Sequence, residues 1–483
     1  MTRIPLQKIA AVLVVAFWLV MTALLLQRHY GGRTPQGPSV SGGIPEGVFG
    51  EHWFGVYQKD RRIGYSSWKF EREGSGYAAS ETLKLRLLVL DASREMELVT
   101  KASLGPDLGL DSFTLSLISD VSMDISGTVR GNSLGIVIDS AGTRTERSIR
   151  LKERPVLNLS MVPSVMKGGM TPGRRYDLNM LDPSSMSVEP VSFSVEGKEQ
   201  VRSMGAMVDT VRLRGSFRGG DLSVWLTEQG EIIRQETPLG FTLIRETKEE
   251  ALRTQQPAAD MAEASSVPFR RVLPEGLSFL KVKISGIDAA GLDLDGGRQR
   301  LRGDVLEIRL EDLKRMPASS SGKISPDYLA DSIFIQAGDS RIVAQAREIV
   351  GTEKDPLRAA RLINSWVYRN MEKSPLLSVP LSTAVLQTGR GDCNEHAVLF
   401  ASLARASGIP ARIALGLVHD TGRFYYHAWN EIYLSGWVAV DPTLGQFPAD
   451  AGHIRLIAGD LDRQARVVSL LGKVRLEEIG SRP

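Results

Sequence analysis

From Gly50 to Lys248 apolar and polar positions alternate with a period of two, in short runs broken by Gly, Asp, Asn and Ser. That is the pattern of antiparallel strands with one buried face. Leu83, Leu85, Leu87 and Val89 make one apolar row, Phe113, Leu115 and Leu117 a second, and Leu134, Ile136 and Ile138 a third. The runs between Val224 and Ile233 flank Glu228-Gln229-Gly230 and predict a hairpin there. Trp53, Phe54, Tyr57, Tyr65 and Trp68 fall on candidate strands, where bulky rings fill a core. No cluster of His, Asp, Glu or Ser with catalytic spacing occurs in this region, and no glycine-rich phosphate loop precedes a helix. It reads as a spacer or docking module for a catalytic unit elsewhere in the chain, with binding of a protein partner or ligand by the sheet as the alternative.

Between Thr247 and Pro268 large apolar residues thin out (KEEALRTQQPAADMAEASSVP), which marks a linker. Beyond it Leu280, Val282 and Ile284 alternate with lysines, and Leu306, Ile308 and Leu310 alternate with Glu307, Arg309 and Glu311, so two half-solvated strands are expected. The period then lengthens to that of a helix. Ile342, Ala346 and Ile349 recur up to Gly351, and Asp355-Pro356 supplies an N-cap and a first-turn proline for a second helix striped by Ile363, Trp366 and Val367. Ser382 is expected to cap a short third helix. Asp392 followed by Glu395 makes a capping-box pair, so a fourth helix should begin at Cys393 and end at Gly408, ahead of Pro410.

At the other end Ile9–Leu26 (IAAVLVVAFWLVMTALLL) carries no charge and would extend about 27 Å as a helix, close to the hydrocarbon thickness of a bilayer. No small-x-small cleavage site follows it, so it reads as an uncleaved anchor. Arg3 and Lys8 precede it while Arg28 and Arg33 follow, and the terminal amine with the short leading tail tips the orientation to an N-terminus in the cytoplasm. The expected location is therefore the inner (cytoplasmic) membrane, single-pass, with the later domains periplasmic or otherwise extracytoplasmic.

With 483 residues the chain exceeds what one core of about 250–300 residues serves, so more than one folded unit is expected. Hydrophobic residues at 42% and charged residues at 24% are ordinary for a globular chain. The net charge is only +3, with basic and acidic residues interspersed, which argues against nucleic acid as a partner. There is one cysteine, Cys393, so the chain can form no internal disulfide.

Cys393 at a helix start faces unpaired amides and the positive dipole end, which can lower a thiol from ~8.5 toward about 3.5–7.5. The same amides could hold an oxyanion. An ionised Asp392 opposes the effect on the thiol, so activation is expected from a nearby histidine. His427 lies in FYYHAWNEIYL and Asp441 in GWVAVDPT, two strand-like runs joined by a tight turn. Parity decides whether they meet. A two-residue turn, Ser435-Gly436, would point them to opposite faces. A three-residue connection, Leu434-Ser435-Gly436, opposes Tyr433 to Trp437 and makes His427 the diagonal neighbour of Asp441. Gly436 suits the left-handed end of such a loop, so the three-residue form is expected.

The order GDCNEHAVLF, GIPAR, HAWNEIY and WVAVDPT, within residues 340–448, resembles the transglutaminase-like cysteine superfamily, which shares its core with papain-like cysteine proteases. The resemblance implies Cys393 as nucleophile, His427 as general base and acid, and Asp441 as the group that orients the imidazole. It implies a protein or peptide amide as substrate, with the acyl group passed to an amine (cross-linking) or to water (a peptidase or amidase of the cell envelope). No cofactor or metal is expected. A reading of another class is a non-catalytic, membrane-anchored binding scaffold. Among the neighbours, Gln387 reads as a solvated helix residue rather than an oxyanion donor, Glu395 as a cap rather than an acid catalyst, and Trp429 and Trp437 as core packing, with walling of the site as the alternative. His396 with Cys393 is too small a set for a metal. The expected class is α+β: 1–27 cytoplasmic tip and transmembrane helix, 28–47 flexible linker, 48–248 antiparallel β domain, 249–268 linker, 269–335 β annex, 336–450 transglutaminase-like (papain-like) domain and 451–483 C-terminal extension.

Overall fold

The apolar rows fold into strands β1 (Gly50–Gln58), β2 (Arg61–Glu73), β3 (Gly76–Val89), β4 (Ala92–Leu104), β5 (Leu110–Ile118), β6 (Met123–Arg130), β7 (Ser133–Ser140) and β8 (Thr143–Arg150). After a helix, α1 (Asn158–Gly168), come β9 (Arg175–Asp182), β10 (Ser187–Ser203), β11 (Ala206–Phe217), β12 (Gly220–Leu226), β13 (Ile232–Glu236) and β14 (Phe241–Glu246). The computed structural model describes residues 43–58, 60–89, 92–183, 186–217, 220–238, 240–253, 266–314, 324–376, 380–460, 467, 470 and 472–483. All fourteen strands join one antiparallel sheet in the order β8-β7-β6-β5-β4-β3-β2-β1-β14-β13-β12-β11-β10-β9. The chain leaves the β1–β14 seam, meanders to one edge, crosses to the other through α1, and meanders back.

Phe113, Leu115, Leu117, Leu134, Ile136 and Ile138 are buried in the main core, as their period requires. Leu85 and Leu87 pack instead with Val56, Ile63 and Phe241 in a smaller cluster. The expected hairpin joins β12 to β13, with Gly230 at φ 86, a left-handed conformation that favours glycine. The helix α1 escaped the sequence reading. Leu159, Met161, Val162, Val165 and Met166 are buried around almost its whole circumference, so it has no polar face to set a helical period.

The rest of the chain adds α2 (Lys248–Ala251), β15 (Val267–Pro268), β16 (Phe279–Ser285), β17 (Gln299–Arg302), β18 (Val305–Arg309), α3 (Ser340–Val350), α4 (Pro356–Asn370), β19 (Glu372–Lys373), α5 (Ser382–Thr388), β20 (Arg390–Gly391) and α6 (Cys393–Ala406). It ends with β21 (Ala411–Asp420), β22 (Arg423–Tyr433), β23 (Trp437–Val440), β24 (His453–Gly459) and β25 (Arg475–Arg482). A four-stranded sheet runs β17-β18-β16-β25, so the last strand of the chain closes the sheet begun by the expected pair β16 and β18. The site sheet runs β15-β22-β21-β24, with β23 also on β22. Asp339 caps α3, and Asp355 caps α4 ahead of Pro356. Ser382 does not cap α5: Leu381 holds that position, and the Ser382 hydroxyl accepts from the buried Gln336 amide. Gln336 also donates to Thr145, and Arg341 to Thr143, so side chains ahead of and within α3 cover the edge strand β8.

Two expectations are corrected. The class is not α+β: among the described residues strands account for 51% and helices for 17%. The helices between Ser340 and Ala406 are outweighed by the fourteen-stranded sheet and the strands that follow it. The expected N-terminal span finds no counterpart, because no helix among the described residues is long and apolar enough to cross a membrane. The stretch read as that span, residues 9–26, lies outside the described residues.

Candidate active site

The capping box forms as its residues predict. Asp392 accepts from the amides of Asn394 and Glu395, and the Glu395 carboxylate accepts from the Asp392 amide at 2.8 Å. Cys393 is thereby held as the first residue of α6. The amides of Asn394 and Glu395 are taken by the cap, so they are not free to hold an oxyanion.

The thiol meets β22 where that strand has room for it. β22 pairs with β21 along its whole length, but its other edge pairs only at residues 423–424, with β15, and 430–433, with β23. The Ala428 amide lies in the gap between them and acts on the Cys393 thiol, favouring its charged form. Burial, aided by the carboxylates of Asp392, Glu395 and Asp441, pushes the Cys393 thiol well above its ordinary range, against the pull of the Ala428 amide. The direction is opposite to the lowering expected from the helix start, because desolvation of the charged form and the neighbouring carboxylates outweigh the Ala428 amide. Burial and Glu395 also push the Asp392 carboxyl up.

His427 and Asp441 meet. Tyr433 opposes Trp437, Ile432 opposes Val438 and Asn430 opposes Val440, so the connection is the three residues Leu434-Ser435-Gly436. The expected register holds, although Gly436 does not adopt a positive φ; the loop closes by the Leu434 amide donating to the Gly436 carbonyl at 3.1 Å. His427 Nε2 lies 2.7 Å from Asp441 Oδ2. Asp441 Oδ1 accepts from the amides of Thr443 (2.7 Å) and Leu444 (2.9 Å).

A further residue, absent from the sequence reading, completes the cluster. His453, at the start of β24, places Nε2 3.0 Å from Asp441 Oδ2 and Nδ1 3.2 Å from Asp450 Oδ1. The available signal was a histidine opening the apolar run HIRLIA, where a polar ring needs partners. Trp429 is fully buried, stacked on His427 at 6.2 Å and edge-on to His453 at 5.2 Å, so it walls the cluster; Trp437 packs away from it, between Tyr328 and Tyr433. Gln387 is exposed on α5, as expected. His396 is buried, donating Nδ1–H to the Asp392 carbonyl at 2.7 Å. Ligand atoms of His427, Asp441 and His453 lie within 4.8 Å of one another, a spacing that could hold a metal ion. The two hydrogen bonds to Asp441 Oδ2 account for that arrangement without one.

Residues 343–442 match the transglutaminase-like superfamily. This segment is a transglutaminase-like domain. Its superfamily comprises thiol-dependent hydrolases and transferases. An uncharacterized protein of Haemophilus influenzae is 31% identical over a stretch covering 33% of this chain and 48% of that protein. This chain thus spans about half the length of that relative. Among solved structures, a candidate cysteine protease from Cytophaga hutchinsonii is 15% identical, with a TM-score of 0.29, over 43% of this chain and 85% of that one. A β-barrel-like protein from Brucella abortus is 10% identical, with a TM-score of 0.31, over 41% and 94%.

The transglutaminase-like domain depends on a close approach at Gly416, which pairs with His427 on β21. A Cβ there would lie 2.0 Å from the Ile454 carbonyl oxygen and 2.9 Å from the Trp429 ring. The carbonyl belongs to β24 and cannot turn aside. Gly416→Ala is expected to cost about 1–3 kcal/mol, read as a lower urea midpoint. A change below about 0.5 kcal/mol would mean that the strands part without penalty.

Proposed function

We propose that this protein is a cysteine acyl-transfer enzyme acting on protein or peptide amides, with Cys393 as nucleophile, His427 as base and acid, and Asp441 as the residue that orients the ring. The observation that carries the reading is the 2.7 Å contact of His427 Nε2 with buried Asp441, one residue along the strand from the Ala428 amide that meets the sole thiol. With Nε2–H donated to Asp441, the His427 lone pair is on Nδ1. Nδ1 takes the thiol proton as sulfur attacks the carbonyl carbon. The tetrahedral intermediate expels the amine, which receives that proton, and leaves a thioester. An amine or water, deprotonated by the same nitrogen, attacks the thioester and restores the thiol. The raised thiol favours proton transfer during attack over a standing thiolate–imidazolium pair.

The test is mass analysis of glutamine-containing peptides incubated with the full chain and a fluorescent primary amine. The expected products are amine-labelled peptide or hydrolysed amide, both absent with Cys393→Ala and His427→Ala. Product formation that survives Cys393→Ala would remove Cys393 as the nucleophile, and no product from the unaltered chain across varied peptides would favour a binding scaffold.

A further inference from the structure

We propose that His453 is a positioning residue of this site: clamped between Asp441 and Asp450, it pins the Asp441 carboxylate against the His427 ring and shares its charge. The inference rests on the Cys393–His427–Asp441 reading.

The argument begins with the acceptor positions of Asp441. Two amides occupy Oδ1 and two imidazole nitrogens occupy Oδ2, so all four lone-pair sites of the carboxylate are filled. The group cannot rotate without breaking several bonds inside a fully buried site. An ionised carboxylate only accepts, so Oδ2 needs a proton on each Nε2. For His453 the other nitrogen also faces a carboxylate, that of Asp450. Both bonds form together only if His453 carries two ring protons and a positive charge. Asp450 is itself held: Oδ1 accepts from the Gly452 amide at 2.9 Å and Oδ2 from the Gly276 amide at 3.2 Å.

The surroundings agree. Burial pushes the His453 ring down, but its bonds to Asp441 and Asp450 outweigh this and raise it above its ordinary value of 6.5. Other charged or titratable groups nearby include His427, with ring centres 6.1 Å apart, Arg298, whose guanidinium donates to the Asp450 carbonyl, His419 on β21, and Cys393 and His396 on α6, both of which interact with Asp441. The Asp441 charge is thus shared between two rings while the geometry of the His427 contact is kept.

The chain has one cysteine, so iodoacetamide alkylation of the full chain, followed by mass between pH 6 and 11, reads Cys393 alone. His453→Gln keeps an N–H toward Asp441 but removes the charge. Loss of the charge that offsets Asp441, whose carboxylate raises the thiol, should move the midpoint of the rate–pH curve up by about half to one unit, slowing alkylation at pH 8 by about three- to tenfold. A merely structural lesion would admit water to the sulfur and move the midpoint down toward ~8.5. A downward shift, or none, overturns the proposal.

Urea unfolding gives a second readout. A group raised on folding contributes stability that is fully present below its unfolded value, here 6.5, and lost as pH rises through its folded value. The unaltered chain should therefore lose stability as pH rises above 6.5 through the raised folded value, and His453→Gln should show a flatter curve. Equal slopes would show that His453 carries no extra proton in the fold. Neither measurement uses a substrate, so failure of this inference and failure of the enzyme reading are told apart.

Discussion

Asp441→Asn is expected to lower turnover about ten-thousand-fold, the scale seen when a triad loses its orienting carboxylate with its shape preserved. Burial alone would push the Asp441 carboxyl up, but the His427 and His453 rings outweigh it and hold it far below the usual range. Asparagine fits the volume but offers one acceptor oxygen and one amide nitrogen. If its oxygen keeps the two backbone amides, its NH2 faces two ring N–H groups. The His427 ring must then move its proton to Nδ1, where the thiol proton would have to go. Asp441 also stabilises the fold. A group depressed on folding contributes stability that is present above its unfolded value, 3.8, and is lost as pH falls through the folded one. The unaltered chain should thus lose stability in strong acid, and Asp441→Asn should lose stability at pH 7 and follow a flatter curve below pH 4. Initial rates in the peptide–amine assay and urea midpoints check both parts. More than a tenth of the activity remaining in the variant would remove Asp441 from the mechanism.

Glu431→Ala is expected to destabilise the chain by about 3–5 kcal/mol, because it strands a buried cation. Glu431 and Arg455 are each only 2% exposed, and their side chains meet at 2.7 Å. Arg412 closes on the other Glu431 oxygen at 2.5 Å. Burial pushes the Glu431 carboxyl up, but Arg455 and Arg412 outweigh it and hold it below its usual range. Arg455 also donates to the carbonyls of Asp293 and Gly296 and thereby ties the loop before β17 to the site sheet. Removing Glu431 leaves the Arg455 guanidinium deprived of its counter-charge. The urea midpoint should fall well below that of the unaltered chain, while Glu431→Gln, which keeps one acceptor, should lose less. A loss under about 1 kcal/mol for the alanine variant would mean that water already screens the pair, as at an exposed salt bridge.

Much of the local structure, and the heart of the candidate site, could be read in the amino-acid order. The alternation at Phe113–Leu117 and Leu134–Ile138 determined strands, since pleated side chains change face at every residue. Asp355-Pro356 and Asp392 with Glu395 determined helix starts, since these side chains bond amides two or three positions away. Parity determined that His427 and Asp441 share a face once the loop holds three residues. All of these rest on interactions between near neighbours in the chain.

What only the tertiary structure decided involves residues far apart or a local environment that the order does not express. The β1–β14 seam joins Trp53 to Glu246, and β25 returns to β16 across nearly two hundred residues, pairings that no short pattern encodes. Helix α1 is hidden from periodicity because the sheet buries it on nearly every side. His453 and Asp450 join Asp441 only because β24 lies beside β21 in the site sheet. The direction of the Cys393 thiol reversed for the same reason: a helix start is legible in Asp392 and Glu395, but desolvation is set by everything that folds over the sulfur.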